Sequence, residues 1–162
     1  MMTSDAFSRS LKQDLARRLN ASTGQDPILL IGSSNSATWG QRMGDAVPLI
    51  PGLAMAQADA ARGAPLIVDE GFLTAGVWST LHHSAGESAL GELETVAERV
   101  RSNGNSVIGV LRAHVPDVNS ARLRGMYDFG IDPDEVVEQS KQPRIVRRIL
   151  MALRNEGASH ED

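Results

Sequence analysis

Short apolar runs that alternate with helical patterns constrain the fold of this chain more than any other feature. Such runs occur at 27–31, 64–69 and 106–111, and shorter candidates occur at 47–50 and 129–131. An apolar run of this length without polar alternation is typical of a strand that is buried on both faces. We therefore expect about five central strands.

Helical patterns fill most of the intervals between these runs. In the first pattern, Phe7, Leu11, Leu15 and Leu19 recur every four residues. Apolar strands that alternate with helices predict a parallel sheet with right-handed crossovers. The predicted fold class is α/β: a three-layer, doubly wound, mostly parallel sheet of the Rossmann-like or flavodoxin-like type. The further predicted helices span 53–62, 87–102, 134–139 and 144–155. A short helix that starts at 117 or 119 and runs to 126 belongs to the alternative interpretation of the loop after the fourth strand.

Length and composition exclude several classes of protein. The chain has 162 residues, which predicts one α/β domain over 1–155, and we expect 156–162 to be a disordered tail. It contains no cysteine, which excludes a disulfide scaffold and a thiol nucleophile. Its net charge of −4 argues against general nucleic-acid binding, and no apolar run is long enough to span a membrane. We expect a soluble, cytoplasmic protein.

The loop after the first strand is rich in small polar residues. Ser33, Ser34, Asn35 and Ser36 follow Gly32 directly. In open α/β sheets, ligands bind beyond the carboxyl ends of the strands, where hydroxyls and backbone amides can hold an anion. Neither a P-loop nor a dinucleotide-binding fingerprint is present, so no cofactor is predicted. The alternative is an ordinary polar turn.

The loop after the third strand has a richer composition than a turn requires. It begins with Asp69 and Glu70, includes Trp78 as a predicted exposed aromatic residue, and continues to His82 and His83. Long loops of this kind are more often functional than short ones. Adjacent histidines point in different directions, so no metal site is predicted. The candidate ligand-binding residues here are Asp69, Glu70, Trp78 and His82.

The loop after the fourth strand adds one more candidate. His114 lies in the segment 112–117 and is expected to face the same crevice as Asp69. The alternative is a loop that only caps the next helix. A serine hydrolase that uses Ser33, Ser34 or Ser36 with His82 or His114 is a third functional hypothesis.

The last predicted helix carries a concentration of positive charge. The segment 141–154 has five basic residues and no acidic one, whereas 64–140 has twelve acidic and five basic residues. An amphipathic basic helix can dock on a protein partner or a second copy of the chain. The candidate partner-binding residues are Arg144, Arg147, Arg148 and Arg154. A non-catalytic interaction or assembly module is therefore the second hypothesis.

Residues 64–134 contain a series of short motifs in a fixed order. The strand 66–69 is followed by Glu70, Gly71 and Phe72, with Gly76 and Trp78 further on. A helix that ends at 101–104, the strand 106–111 and the segment 127–129 come next. In this order the motifs resemble the N-terminal domain of bacterial GT-B-type glycosyltransferases.

This resemblance implies a function but no catalytic residue. Such enzymes have a second Rossmann-like domain that binds the sugar nucleotide, for which 162 residues leave no room. It therefore implies an isolated acceptor-side domain, a subunit of a two-chain enzyme or a non-catalytic relative. Our leading hypothesis is a glycosyltransferase-like binding domain that acts through a small ligand or a protein partner. Whether it is an enzyme stays open.

Overall fold

The protein is built around one five-stranded sheet in which every pairing is parallel. The structure, a computed structural model, describes residues 27–43, 46–73, 78, 87–112, 118–135 and 142–157. The strands are β1 (Ile28–Ile31), β2 (Ala46–Pro48), β3 (Leu66–Asp69), β4 (Val107–Val110) and β5 (Phe129–Ile131). All five predicted strands are present, with shorter bounds for most.

Within the described residues, five helices cover the two faces of this sheet. They are α1 (Ser34–Met43), α2 (Ala54–Ala60), α3 (Glu87–Ser102), α4 (Val118–Gly125) and α5 (Arg144–Gly157), and a 3-10 turn spans Glu70–Leu73. Buried side chains of α2, α3 and α4 share one apolar cluster with one face of the sheet. Those of α1 and α5 share a second cluster with the opposite face. The predicted three-layer, doubly wound α/β architecture is confirmed.

Strand alternation explains why the core divides into two clusters. Leu66 and Val68 of β3 belong to the first cluster, whereas Ile67 between them belongs to the second. Successive side chains of a strand point to opposite faces, so a strand covered on both sides must be apolar throughout. The four residues of β1 are accordingly all buried.

Several predicted elements differ in the structure. The polar loop that follows Gly32, whether a ligand-binding loop or an ordinary turn, is instead the start of α1, because the buried Trp39 anchors a helix in the core. Of the predicted helix 134–139, the described residues 134–135 form a turn instead. Helix α5 continues to Gly157, past the predicted end at 155. The predicted first helix at 7–19 lies outside the described residues.

The strand order is β2-β1-β3-β4-β5, so the chain moves to one side of β1 and then to the other. A crevice forms at such a switch point, at the carboxyl ends of the two central strands. Here those ends belong to β1 and β3. The loops that follow them, at 32–33 and 70–73, are therefore the first places to look for a functional site.

Within the part of the chain that the structure describes, no helix combines the length and the apolar character needed to cross a bilayer.

Gly40 allows α1 to pack closely on the sheet. A Cβ atom at this position would lie 2.8 Å from Leu30 Cδ2 and 3.1 Å from Ala46 Cβ. Gly91 of α3 is the opposite case, because a Cβ atom there would meet nothing within 4 Å. Both glycines lie inside helices, where alanine is intrinsically favoured.

We predict that Gly40→Ala and Gly91→Ala change stability in opposite directions. Gly91→Ala should raise the free energy of unfolding by up to about 1 kcal/mol through helix propensity. Gly40→Ala should lower it by about 1–2 kcal/mol, because overpacking outweighs that gain. Urea denaturation of the three proteins measures both effects. Equal stabilisation by the two substitutions would contradict the close packing of α1.

Candidate functional site

Two consecutive carboxylates, Asp69 and Glu70, are buried at the carboxyl end of β3. Asp69 is 2% exposed and Glu70 is 1% exposed. Asp69 is the last residue of β3 and Glu70 begins the 3-10 turn, and the two side chains reach opposite faces of the sheet. Asp69 continues the side of Ile67, where α1 lies, and Glu70 contacts residues of and after α4 on the other side. Each acid therefore has its own set of partners.

Asp69 accepts hydrogen bonds from four residues. Its Oδ2 atom accepts from Ser36 Oγ at 2.8 Å and from Trp39 Nε1 at 3.0 Å, both in α1. Its Oδ1 atom accepts from the backbone N–H of Gly71 at 3.0 Å. Arg112 donates to both oxygens, through Nε to Oδ1 at 3.0 Å and through Nη2 to Oδ2 at 3.1 Å. This bidentate pair joins the ends of β3 and β4.

Glu70 has an equivalent pair on the other face. Arg124 of α4 donates through Nη2 to Oε1 at 2.9 Å and through Nε to Oε2 at 3.1 Å. The Tyr127 hydroxyl donates to Oε2 at 3.2 Å, and the backbone N–H of Arg112 donates to Oε1 at 3.1 Å. Arg112 thus contacts Asp69 with its side chain and Glu70 with its backbone, which links the two pairs.

Gly109 makes room for Tyr127 in this arrangement. A Cβ atom at Gly109 would lie 2.1 Å from Tyr127 Cδ2, so the tyrosine ring lies directly against the backbone of β4. Burial raises the pKa of the Tyr127 hydroxyl, and the neighbouring Glu70 carboxylate raises it further. The hydroxyl therefore stays protonated and acts as a hydrogen-bond donor to Glu70.

The environment of Asp69 keeps it ionised. Burial opposes ionisation, but the hydrogen bonds from Arg112 and Gly71, together with the Arg112 charge, outweigh it and lower the pKa of Asp69 below its ordinary 3.8. A carboxylate with a lowered pKa is a weak general base. This geometry fits a residue that positions others.

Ser36 also has a positioning role. Its hydroxyl is fully buried, donates to Asp69, and accepts from the backbone N–H of Ser33 at 3.1 Å. This last contact satisfies an amide at the start of α1 in the manner of a capping box. A Cβ atom at Gly32 would lie 2.3 Å from Ser36 Cβ, so the chain can bend into α1 only with glycine there.

The groups that reach the crevice are those held by this network. The Arg112 side chain is 36% exposed although Asp69 beneath it is buried. Ser33 is half-buried, and its Oγ lies 3.5 Å from Ser36 Oγ. A Cβ atom at Gly71 would lie 3.3 Å from Asp69 Oδ1 and 3.8 Å from Ser33 Oγ, so Gly71 lies beside both side chains. A partly exposed guanidinium and a half-buried hydroxyl therefore lie at this edge of the sheet.

The structure brings together some of the predicted ligand-binding residues. Ser33, Ser36 and Asp69 converge at the ends of β1 and β3. Glu70 lies beside them in sequence but contacts the α4 side. For Ser34 and Asn35 the structure describes only their place in the first turn of α1. His82 and His114 lie outside the described residues.

Trp78 differs from its predicted exposed position. It is 1% exposed, and its indole Nε1 donates to the backbone carbonyl of Leu49 at 2.9 Å. Its ring belongs to the apolar cluster beneath α2 and α3. Phe72, the other aromatic residue of the described part of this loop, is fully buried as well. The aromatic character of the loop therefore serves the core.

The four arginines predicted for partner binding fall into two groups. Arg144, Arg147 and Arg154 are exposed on α5. Arg148 is half-buried and donates through Nη2 to the backbone carbonyl of Met43, which fastens α5 to the end of α1. Arg148 is a packing residue in this structure, whereas the other three are exposed.

Sequence reasoning did not select Arg112, Trp39, Arg124 or Tyr127 as site residues. Arg112 had a detectable signal, because it follows β4 and adjacent parallel strands end at the same edge of a sheet. Pairing of Asp69 with Val110 then places Arg112 beside Asp69. Trp39 and Arg124 lie in helices, and no local pattern indicates which strand end their side chains reach.

Among the described residues, no group of three histidine, cysteine, aspartate or glutamate side chains is arranged to hold a metal ion.

Comparisons of the chain with protein-family models, with curated proteins and with solved structures gave no match.

We predict that Asp69→Asn lowers the free energy of unfolding by about 3 kcal/mol. The substitution removes the charge that compensates Arg112, and breaking a buried ion pair by removing one partner costs about 3–5 kcal/mol. The partial exposure of Arg112 places the expected value at the lower end. Urea denaturation at neutral pH measures it.

Glu94→Gln is the matched control for this experiment. Glu94 pairs with Arg122 at 2.6 Å, but both side chains are about 40% exposed. Exposed pairs contribute at most about 1 kcal/mol, so the same acid-to-amide change should have a small effect here. An equal decrease in the free energy of unfolding in Asp69→Asn and Glu94→Gln would contradict a special role for the buried pair.

The pH dependence of stability should also reveal Asp69. Because folding lowers the pKa of Asp69 below 3.8, its stabilising contribution is complete above that pH and disappears as pH falls further, through the folded-state pKa. The wild type and Asp69→Asn should therefore differ in stability at neutral pH and converge below about pH 4. Denaturation curves at several pH values test this, and a gap that persists unchanged in acid would disprove it.

Proposed function

We propose that this chain is a ligand-binding α/β domain, of the kind that its glycosyltransferase resemblance suggests, and that it binds a small anionic ligand in the crevice beyond β1 and β3. The observation that carries the proposal is the position of Arg112. Its guanidinium is fixed by a bidentate pair with buried Asp69, yet the side chain, at the end of β4 beside β3, remains 36% exposed.

A fixed guanidinium suits an anion for energetic reasons. A free arginine loses side-chain entropy when it binds a carboxylate or phosphate, whereas a preorganised one has already lost it during folding. The start of α1 adds backbone amides and a favourable helix dipole beside Ser33. These groups favour a phosphate or a carboxylate over a neutral ligand.

The proposal assigns binding to the domain and no catalytic step. Ser36 is fully buried and committed to Asp69, so it does not support the hydrolase hypothesis. Residues that carry the glycosyltransferase resemblance serve the fold: Tyr127 donates to Glu70, and Asp128 accepts from the backbone of Val107. The resemblance therefore suggests the type of domain. Any catalytic step would be carried out by a partner chain.

Calorimetry with three probes tests the proposal: inorganic phosphate, UDP-glucose and the neutral glycan maltotriose. We expect heat of binding with one or both anionic probes. In Arg112→Gln their affinity should fall about tenfold to a hundredfold, since a hydrogen bond to a charged group contributes about 1.5–3 kcal/mol. Circular dichroism of the variant first establishes that it is folded.

Arg122→Gln is the control variant, because Arg122 pairs with Glu94 on the surface of α4 and α3. Its affinity for the anionic probes should equal that of the wild type. The absence of heat with both anionic probes, or binding of the neutral glycan alone, would overturn the proposal.

A further inference from the structure

The exposed side of α5 carries a narrow basic stripe. Arg144, Arg147, Met151 and Arg154 follow one another at intervals of three or four residues, so they lie on one side of the helix. All four are exposed, and Met151 is 59% exposed. The opposite side of α5 is buried against the sheet and α1 through residues that include Ile149. We refer to these four residues as the basic stripe.

Helix stability does not account for Arg144 and Arg147 of this stripe, whereas Arg154 lies in the last turn of α5, where the helix dipole favours a positive charge. Arg144 and Arg147 lie in the first turn of α5, which contains no acidic residue. A positive charge at a helix N-terminus is unfavourable by about 0.3–1 kcal/mol, because the dipole places positive charge there too. None of the three arginines forms an ion pair with a residue of the described ranges. Arg99, Arg101 and Arg122 elsewhere on the surface do.

A complementary acidic surface lies in the same chain. Asp132, Asp134 and Glu135 are all exposed in the turn that follows β5. Asp132 accepts a hydrogen bond from the backbone N–H of Asp134 at 2.9 Å, which fixes the turn. No ion pair joins this acidic turn to the basic stripe, or to any other described residue, within one copy.

We propose that the basic stripe of one copy of this chain binds the acidic turn of a second copy. Arginine suits this contact, because its planar guanidinium pairs with carboxylates through two parallel hydrogen bonds. Met151, between Arg147 and Arg154, adds a central apolar contact that the surrounding charges shield from water. The chain's net charge of −4, and the acidic turn itself, repel a polyanion such as DNA or an anionic membrane.

The contact is small and mostly polar, so we expect weak, salt-sensitive self-association. Analytical ultracentrifugation at high micromolar concentration should show association at about 0.05 M salt. At about 0.5 M salt the association should be strongly reduced, because the Debye length is then much shorter.

A charge swap identifies the two surfaces. The first variant combines Arg147→Glu with Arg154→Glu, and the second combines Asp134→Lys with Glu135→Lys. The self-association constant of each variant alone should fall at least tenfold. A mixture of the two variants should associate again, because opposite charges then face each other. All four positions are exposed, so the effects on folding should be small.

A third variant, Arg62→Glu with Arg122→Glu, changes the net charge by the same amount as the first variant, at positions outside the stripe. It should associate as the wild type does. A monomer at every concentration and salt level would overturn the proposal, as would association that the charge swap leaves unchanged. A monomeric chain that binds duplex DNA through the stripe would assign the surface to another partner and overturn it as well.

Discussion

The buried bidentate pair between Asp69 and Arg112 is the interaction on which the architecture of the carboxyl edge depends. It links the end of β3 to the end of β4, and Asp69 binds Ser36 and Trp39 of α1 at the same time. One side chain therefore fixes two strand ends and the start of the first described helix. The arrangement requires the charges, because a neutral group at position 69 would leave Arg112 without its counter-charge.

Two neighbouring acids in the sequence avoid mutual repulsion because they reach opposite faces of the sheet. Two buried carboxylates on one side would repel each other. Asp69 ends β3 and contacts α1, whereas Glu70 begins the following 3-10 turn and contacts α4, so Arg112 and Arg124 provide separate counter-charges. The sheet that divides the apolar core into two clusters thus also divides the polar network.

The sequence predicts the sheet well because the strands are buried on both faces. A short, wholly apolar run such as 28–31 that lies between helices is buried most completely as a central strand. All five predicted strands are present. The helical conformation of Ser36 could not be predicted from the local sequence. A serine among serines and an asparagine predicts a turn, whereas its place in a helix depends also on a long-range contact, with Asp69, 33 residues away. Trp39 and Arg124 are similar cases, since long-range partners determine their roles.

Stability alone does not explain why this edge is polar. Replacing a buried ion pair with well-packed apolar residues is often neutral or stabilising. A network of two acids and two arginines is therefore not needed for the stability of the core. What an apolar replacement would remove is the fixed guanidinium of Arg112 at the crevice, above a buried carboxylate. The strand order places the crevice at this point, and the ion pair determines which group faces it. In the proposed function, this fixed guanidinium is the group that would meet an anionic ligand.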